Sequence, residues 1–81
     1  MEKIKVVIAD DSVVYRTQIK KALDTLKEVR VVATAANGRL AIEKIKQTDA
    51  DLLILDLEMP EMNGLDTLKE MKNQKINCCT L

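Results

Sequence analysis

Three aspartates in this sequence stand where strand-like apolar runs end. Asp10 and Asp11 follow the run Ile4–Ala9, and Asp56 follows the run Leu52–Leu55. A strand that only had to stop could end on Gly, Asn or Ser, so a carboxylate at the end of a buried strand suggests a site. Carboxylates that lie together repel one another, and the hard cation that suits oxygen ligands is magnesium. An Asp beside such an ion can be the nucleophile that attacks a phosphoryl group.

The elements that position these acids can be read from hydrophobic periodicity. Runs 4–9 and 29–36 are mostly apolar and run 52–55 is entirely so, as in strands that a parallel sheet buries on both faces. Between and after them, apolar residues recur at helical spacing. The three helical sets are Ile19, Ala22, Leu23 and Leu26; Gly38, Ala41, Ile42 and Ile45; and Leu65, Leu68 and Met71. The predicted N-caps are Asp11 or Ser12, Asn37, and Asn63.

The order β-α-β-α-β-α predicts an α/β fold with a partial doubly wound, flavodoxin-like parallel sheet of strand order 2-1-3. In such sheets, ligands bind beyond the carboxyl ends of the strands, where the strand order reverses. If the first strand lies between the other two, then Asp10, Asp11 and Asp56 converge at that edge. The sequence therefore predicts one acidic site.

Each part of this pattern also has a simpler interpretation. The Asp10-Asp11 pair with its following serine can be a helix cap, and Asp56 can be a polar strand end. Pro60 and Gly64 can be turn residues, and Met59 and Met62 are best explained by packing. The acids occur together at two strand ends of one consistent topology, which favours the site.

Composition excludes several classes of function. The 81 residues allow one small core, and 13 basic residues balance 13 acidic ones, so no charge argument favours nucleic acid or an anionic membrane. The N-terminal apolar run is too short for a signal peptide or a membrane span. The sequence has no histidine, which argues against a zinc site, and the adjacent Cys78 and Cys79 are expected to be free thiols in the cytoplasm.

The acidic stretches carry a resemblance. Residues 8–12 (IADDS) and 53–64 (LILDLEMPEMNG) resemble the receiver domain of two-component response regulators. Within that family the chain is most similar to the receivers of chemotaxis protein-glutamate methylesterases. This similarity lies in Arg16 four residues after Ser12, in residues 31–35 (VVATA), and in the order of residues 58–66 (EMPEMNGLD).

The resemblance implies a role for each matching residue. Asp56 would be the phosphoacceptor for a histidine kinase, and the other implied positions concern the metal and its loop. Asp11, Asp56 and the backbone carbonyl of Glu58 would bind Mg²⁺, Asp10 would act through a metal-bound water, and Pro60 and Gly64 would shape the loop.

The match covers only part of the family's domain of five βα units. Residues 1–81 hold three such units and the possible start of a fourth strand at 76–81, so we expect a truncated receiver without an effector domain. The family's Ser or Thr after the fourth strand and its Lys after the fifth have no counterpart here, which predicts a poor switch. We also expect the third strand to become a sheet edge, and the chain to self-associate through that strand or its C-terminal segment.

Two alternatives remain open at this stage. A degenerate receiver would act only as an interaction or oligomerisation module. A magnesium-dependent phosphohydrolase would also place an Asp at a strand end, but it would normally carry a second Asp two residues later, where this sequence has Glu58. Beyond phosphorylation of itself, no enzyme activity is expected of these residues.

Overall fold

The computed structural model describes residues 3–56, 59 and 61–80. Four strands and three helices alternate along this part of the chain. They are β1 (Ile4–Ala9), α1 (Val13–Asp24), β2 (Val29–Ala35), α2 (Gly38–Thr48), β3 (Leu52–Leu55), α3 (Gly64–Asn73) and β4 (Cys79–Thr80). Every strand pair is parallel, and the order in the sheet is β2-β1-β3-β4. The predicted α/β fold and the 2-1-3 order are confirmed, with a short fourth strand added.

The central strand β1 pairs with β2 on one side and β3 on the other. Its pairing with β3 is regular, from Val6 opposite Leu52 to Ala9 opposite Leu55. Its pairing with β2 contains one irregularity, because Val6 pairs with Val31 but the next residue of β1 pairs with Ala33. Val32 is therefore an additional residue in β2, as in a β-bulge.

The main core lies between the sheet and helices α2 and α3. Its buried members come from β1, β2, β3, both helices and the loops before β3 and α3. They are Val7, Ala9, Ala35, Ala41, Ile42, Ile45, Ala50, Leu53, Met59 and Met71. In β1, these side chains alternate with Val6 and Ile8, which are fully buried on the opposite face. From Val6 to Ala9 the strand is thus buried on both faces, as its nearly continuous apolar sequence predicted.

All three helix starts fall where the capping residues predicted. Ser12 Oγ accepts a hydrogen bond from the nitrogen of Tyr15, Asn37 Oδ1 accepts from that of Leu40, and Asn63 Oδ1 accepts from that of Asp66. Of the two residues proposed for α1, Ser12 is the cap. The predicted apolar face of α2 is buried in full, at Gly38, Ala41, Ile42 and Ile45.

The predicted inner faces of α1 and α3 are wrong in part. Helix α1 has no buried residue, and it ends at Asp24, so Leu26 lies beyond it with 47% of its surface exposed. In α3 the buried residues are Gly64, Thr67 and Met71, whereas Leu65 and Leu68 are exposed. The apolar residues of α1 and α3 do recur at helical spacing. Within the part of the chain described, however, no neighbouring element packs over all of them.

The third strand is not wholly an edge, which corrects the expectation from the sequence. After α3, Ile76 donates its backbone N–H to Met71 O over 2.9 Å, and Lys75 adopts a left-handed conformation with φ 56°. This turn returns the chain to the sheet, where β4 pairs with Leu52 and Leu53. Only the second half of β3 lacks a partner on that side within the described residues. None of the helices described is long and apolar enough for a membrane crossing.

Candidate functional site

The three predicted acids meet at the carboxyl edge of the sheet. Asp10 and Asp11 follow β1, and Asp56 follows the adjacent strand β3. One carboxylate oxygen from each of the three lies within 4.8 Å of the others. Asp11 is exposed to solvent, while Asp10 and Asp56 are half-buried. The sequence therefore identified the members of this acidic cluster correctly.

Backbone hydrogen bonds between strands bring the acids together. Asp56 N donates to Ala9 O over 2.9 Å, which fixes the end of β3 beside the end of β1. On the other side, Asp10 N donates to Ala35 O over 3.0 Å and ties the same strand end to β2. The backbone of both half-buried acids, Asp10 and Asp56, is thus hydrogen-bonded to a neighbouring strand. These bonds fix the positions of their Cα atoms.

The turn from β1 into α1 is held by a compact set of hydrogen bonds. Ser12 N donates to Asp10 Oδ1 over 2.9 Å, so the Asp10 carboxylate stabilises the turn as well as belonging to the acidic cluster. Arg16 N donates to Ser12 O over 3.0 Å in the first helical turn. The Arg16 side chain reaches back, and its Nη1 donates to Asp10 O over 2.6 Å.

The loop after Asp56 is attached to the start of α2. The Glu61 carboxylate accepts hydrogen bonds from Asn37 Nδ2 over 3.2 Å and from Arg39 Nη2 over 3.1 Å. Gly38 N also donates to Met62 O over 3.0 Å. Glu61 adopts φ 65°, an unusual conformation for a residue other than glycine, and these contacts to α2 hold it there.

Two of the predicted site residues, Glu58 and Pro60, lie outside the described residues. Gly64 is buried and is the first residue of α3, directly after the cap Asn63. Its suggested role in shaping the loop stays a prediction. Met59 is buried in the core and Met62 packs against it, as expected for packing residues.

The donor set fits a hard divalent cation. All three side chains offer carboxylate oxygens, and Mg²⁺ prefers oxygen ligands from one or two carboxylates while it keeps several waters. The exposure of Asp11 leaves the cluster open to solvent, as such a hydrated ion requires. A soft metal that prefers thiolate would find no cysteine in this cluster.

Sequence reasoning missed two sets of contacts that hold the site. Arg16 was noticed only for its spacing from Ser12, and its bond to Asp10 O was not predicted. The attachment of Glu61 to Asn37 was also missed, because these residues are 24 positions apart. The position of Arg16, six residues after Asp10 and in the first turn of the predicted helix, was the only available signal.

Comparison with known proteins agrees with this geometry. Residues 6–81 match the family described as the response regulator receiver domain. The chain belongs to this family. Its two-component and phosphorelay character follows from that membership.

Curated relatives point to one branch of the family. The chain is 45% identical over 76 residues to a protein-glutamate methylesterase/protein-glutamine glutaminase of Treponema denticola, a match that covers 94% of this chain and 20% of that protein. It is 46% identical over 77 residues to the protein of the same name from Clostridium acetobutylicum, covering 95% and 22%. The chain thus spans about a fifth of the length of these relatives.

Solved structures show the same fold. The response regulator domain of CheB from Thermotoga maritima matches with a TM-score of 0.88 and 32% identity, covering 94% of this chain and 57% of that one. The receiver domain of AraT, a response regulator from Geobacillus stearothermophilus, matches with a TM-score of 0.82 and 36% identity, covering 94% and 60%. Receiver domain and CheB-like similarity are therefore both established for this chain.

Proposed function

We propose that this chain is the phosphoacceptor module of a chemotaxis-type two-component phosphorelay. Asp56 accepts a phosphoryl group from the phosphohistidine of a histidine kinase. The observation that carries this proposal is the convergence of carboxylate oxygens from Asp10, Asp11 and Asp56 within 4.8 Å, in a chain that belongs to the receiver family. The proposed compartment is the cytoplasm, in keeping with the free thiols of Cys78 and Cys79.

In the proposed reaction, a carboxylate oxygen of Asp56 attacks the phosphorus atom of the donor. The P–N bond to the kinase histidine breaks, its electron pair stays on the imidazole nitrogen, and an acyl phosphate forms on Asp56. The backbone nitrogen of Asp56 donates to Ala9 O, and this bond holds the nucleophilic residue at the sheet edge before the donor arrives.

Mg²⁺ is the proposed cofactor. Asp11, Asp56 and the backbone carbonyl of Glu58 would hold it directly, and Asp10 through a water. A bound Mg²⁺ supplies positive charge that offsets the charge of the phosphoryl oxygens. The half-buried Asp10 is already engaged by Ser12 N, which suits a residue that acts through water rather than as a direct ligand.

Phosphorylation from a small donor tests the proposal. With acetyl phosphate and Mg²⁺, intact-protein mass spectrometry should show one phosphoryl adduct, which chelation of the metal abolishes. Asp56→Asn should lose the adduct, whereas Asp24→Asn, which changes an exposed acid on α1, should keep it. An adduct that survives in Asp56→Asn would refute the assignment. Release of phosphate from small phosphoesters without an adduct would support a phosphohydrolase.

We also propose that the chain self-associates through the open side of β3 and β4 or by exchange of its C-terminal segment. Strand β4 pairs with Leu52 and Leu53 only, so the rest of β3 offers backbone groups for pairing within the part of the chain described. Apolar side chains of α1 add exposed surface, with Val13 and Val14 each 64% exposed and Tyr15 61% exposed. Self-association would bury some of this surface.

A further inference from the structure

Arg16 makes a short, charge-assisted hydrogen bond to the backbone at the centre of the acidic turn. Its Nη1 donates to Asp10 O over 2.6 Å, slightly shorter than the usual range for N–H···O bonds. The donor comes from α1 and the acceptor from the end of β1, and the contact is partly buried. This bond therefore links the helix directly to the strand end from which two of the three acids project.

The carbonyl of Asp10 belongs to the peptide unit that joins Asp10 to Asp11. A peptide unit is planar, so fixing its oxygen fixes the direction in which the next Cα leaves the strand. The nitrogen of Asp10 is held by Ala35 O, and its carboxylate is held by Ser12 N. The guanidinium supplies the remaining restraint, on the peptide that directs Asp11.

We propose that Arg16 is a positioning residue for the metal site. It holds the Asp10–Asp11 peptide in the orientation in which both carboxylates converge with Asp56, and it thereby raises the affinity for Mg²⁺. This inference rests on the proposed function, because it assigns Arg16 to the same metal site.

Charge and geometry predict opposite effects for this residue. A guanidinium near the cluster repels a metal cation, so loss of its charge alone would strengthen Mg²⁺ binding. Loss of the hydrogen bond frees the Asp10–Asp11 peptide and would weaken Mg²⁺ binding. Groups that orient metal ligands typically contribute 10-fold to 100-fold in affinity. Because Asp11 opens this site to solvent, which screens charge, we expect the geometric effect to exceed the charge effect.

The experiment compares Mg²⁺ affinities of the full chain and three variants by NMR titration with Mg²⁺ alone. Arg16→Ala should weaken binding by about tenfold. Arg16→Lys keeps the charge and one donor and should fall between Arg16→Ala and the parent. Lys20→Ala is the matched control, because Lys20 is a cation one turn later on the same helix, and its side chain pairs with Asp24. This control should bind Mg²⁺ as the parent does.

The possible outcomes separate the two proposals. If the parent binds Mg²⁺ but Arg16→Ala binds equally or more tightly, the role of Arg16 is refuted while the metal site stands. If the parent does not bind Mg²⁺, both fail. The parent also provides a direct measurement that does not depend on the folding of a variant: a scalar coupling across the Arg16 N–H···O=C Asp10 hydrogen bond. Absence of this coupling would overturn the inference without any variant.

Discussion

The amide nitrogen of Asp56 donates a hydrogen bond to the carbonyl oxygen of Ala9 over 2.9 Å. Ala9 is the last residue of β1, and Asp10 follows it directly. The same backbone contact therefore aligns the ends of two strands and brings acids from both to one edge. Because both atoms of this contact belong to the backbone, the pairing of the strands itself places the acids at one edge of the sheet.

We expect Mg²⁺ to stabilise the parent chain, and Asp11→Ala to remove most of that effect. At about ten times the dissociation constant, binding to the folded state adds about 1.4 kcal/mol to the free energy of unfolding. Without Mg²⁺, Asp11→Ala should be at least as stable as the parent, because it removes a repelling charge. Thermal unfolding in Mg²⁺ and in chelator measures both effects.

The control for this metal experiment is Asp24→Ala, which removes an exposed acid that pairs with Lys20. It should respond to Mg²⁺ as the parent does. A parent whose unfolding temperature is the same with and without Mg²⁺ would contradict a metal site at these acids.

We expect Gly38→Ala to destabilise the fold by about 1–3 kcal/mol, as overpacked substitutions do. A glycine to alanine change inside a helix usually stabilises it. Here the new Cβ would overlap Thr67 Oγ1 and lie 2.8 Å from Met62 O. Urea unfolding measures the difference, and Lys46→Ala, at an exposed position of the same helix, is the control. A stabilised Gly38→Ala variant would show that α2 and α3 are not in such close contact.

We expect Cys79 to be alkylated before Cys78. Cys79 is exposed, whereas burial raises the pKa of the Cys78 thiol, with smaller contributions from Cys79 and Asp51. A thiol with a raised pKa is mostly protonated at neutral pH and reacts slowly. Iodoacetamide labelling with mass spectrometry should show faster reaction in Cys78→Ser, which keeps Cys79, than in Cys79→Ser.

The same shift predicts a pH effect on stability. The folded state holds the Cys78 proton to a higher pH than the unfolded state does, so this contribution to stability is present below the ordinary thiol pKa and is lost as the pH rises through the raised one. Equal alkylation rates in the two serine variants would contradict the burial of Cys78.

We expect the parent chain to self-associate and Cys79→Lys to shift it towards monomer. Cys79 is exposed on the short strand β4, and a lysine there would repel an approaching strand. Sedimentation under reducing conditions, which exclude a disulfide, measures the effect. Gln47→Lys, which adds the same charge at an exposed position of α2, is the control and should leave strand pairing intact. A monodisperse parent monomer with cooperative unfolding would refute self-association.

The elements that could be predicted are those whose signals are local. A continuous apolar run and an adjacent cap locate β1 and α2 without knowledge of their neighbours, as Asn37 shows by capping α2. The buried faces of α1 and α3 could not be predicted in the same way. Whether Leu26 or Leu65 is covered depends on which elements pack against it, and helical periodicity contains no such information.

The same distinction applies to the site. Asp10, Asp11 and Asp56 were predictable because parallel strands bring their carboxyl ends to one edge. The side chains of Arg16 and Asn37, which hold the surrounding backbone, could not be predicted. Their partners are 6 and 24 residues away in the sequence, and only the folded chain brings them into contact.

The additional residue in β2 changes the alternation of side chains relative to β1: Val31 and Ala33 are two residues apart in β2, but their partners in β1 are adjacent. Because Val32 has no partner in β1, its removal would restore regular pairing and leave Ala35 in place to accept from Asp10 N. Strand β3 pairs regularly with β1 and has no such spare residue. Deleting one residue there would turn each following side chain to the opposite face of the sheet, Asp56 included. We therefore expect the acids to stay together after a change of length in β2, and to separate after one in β3.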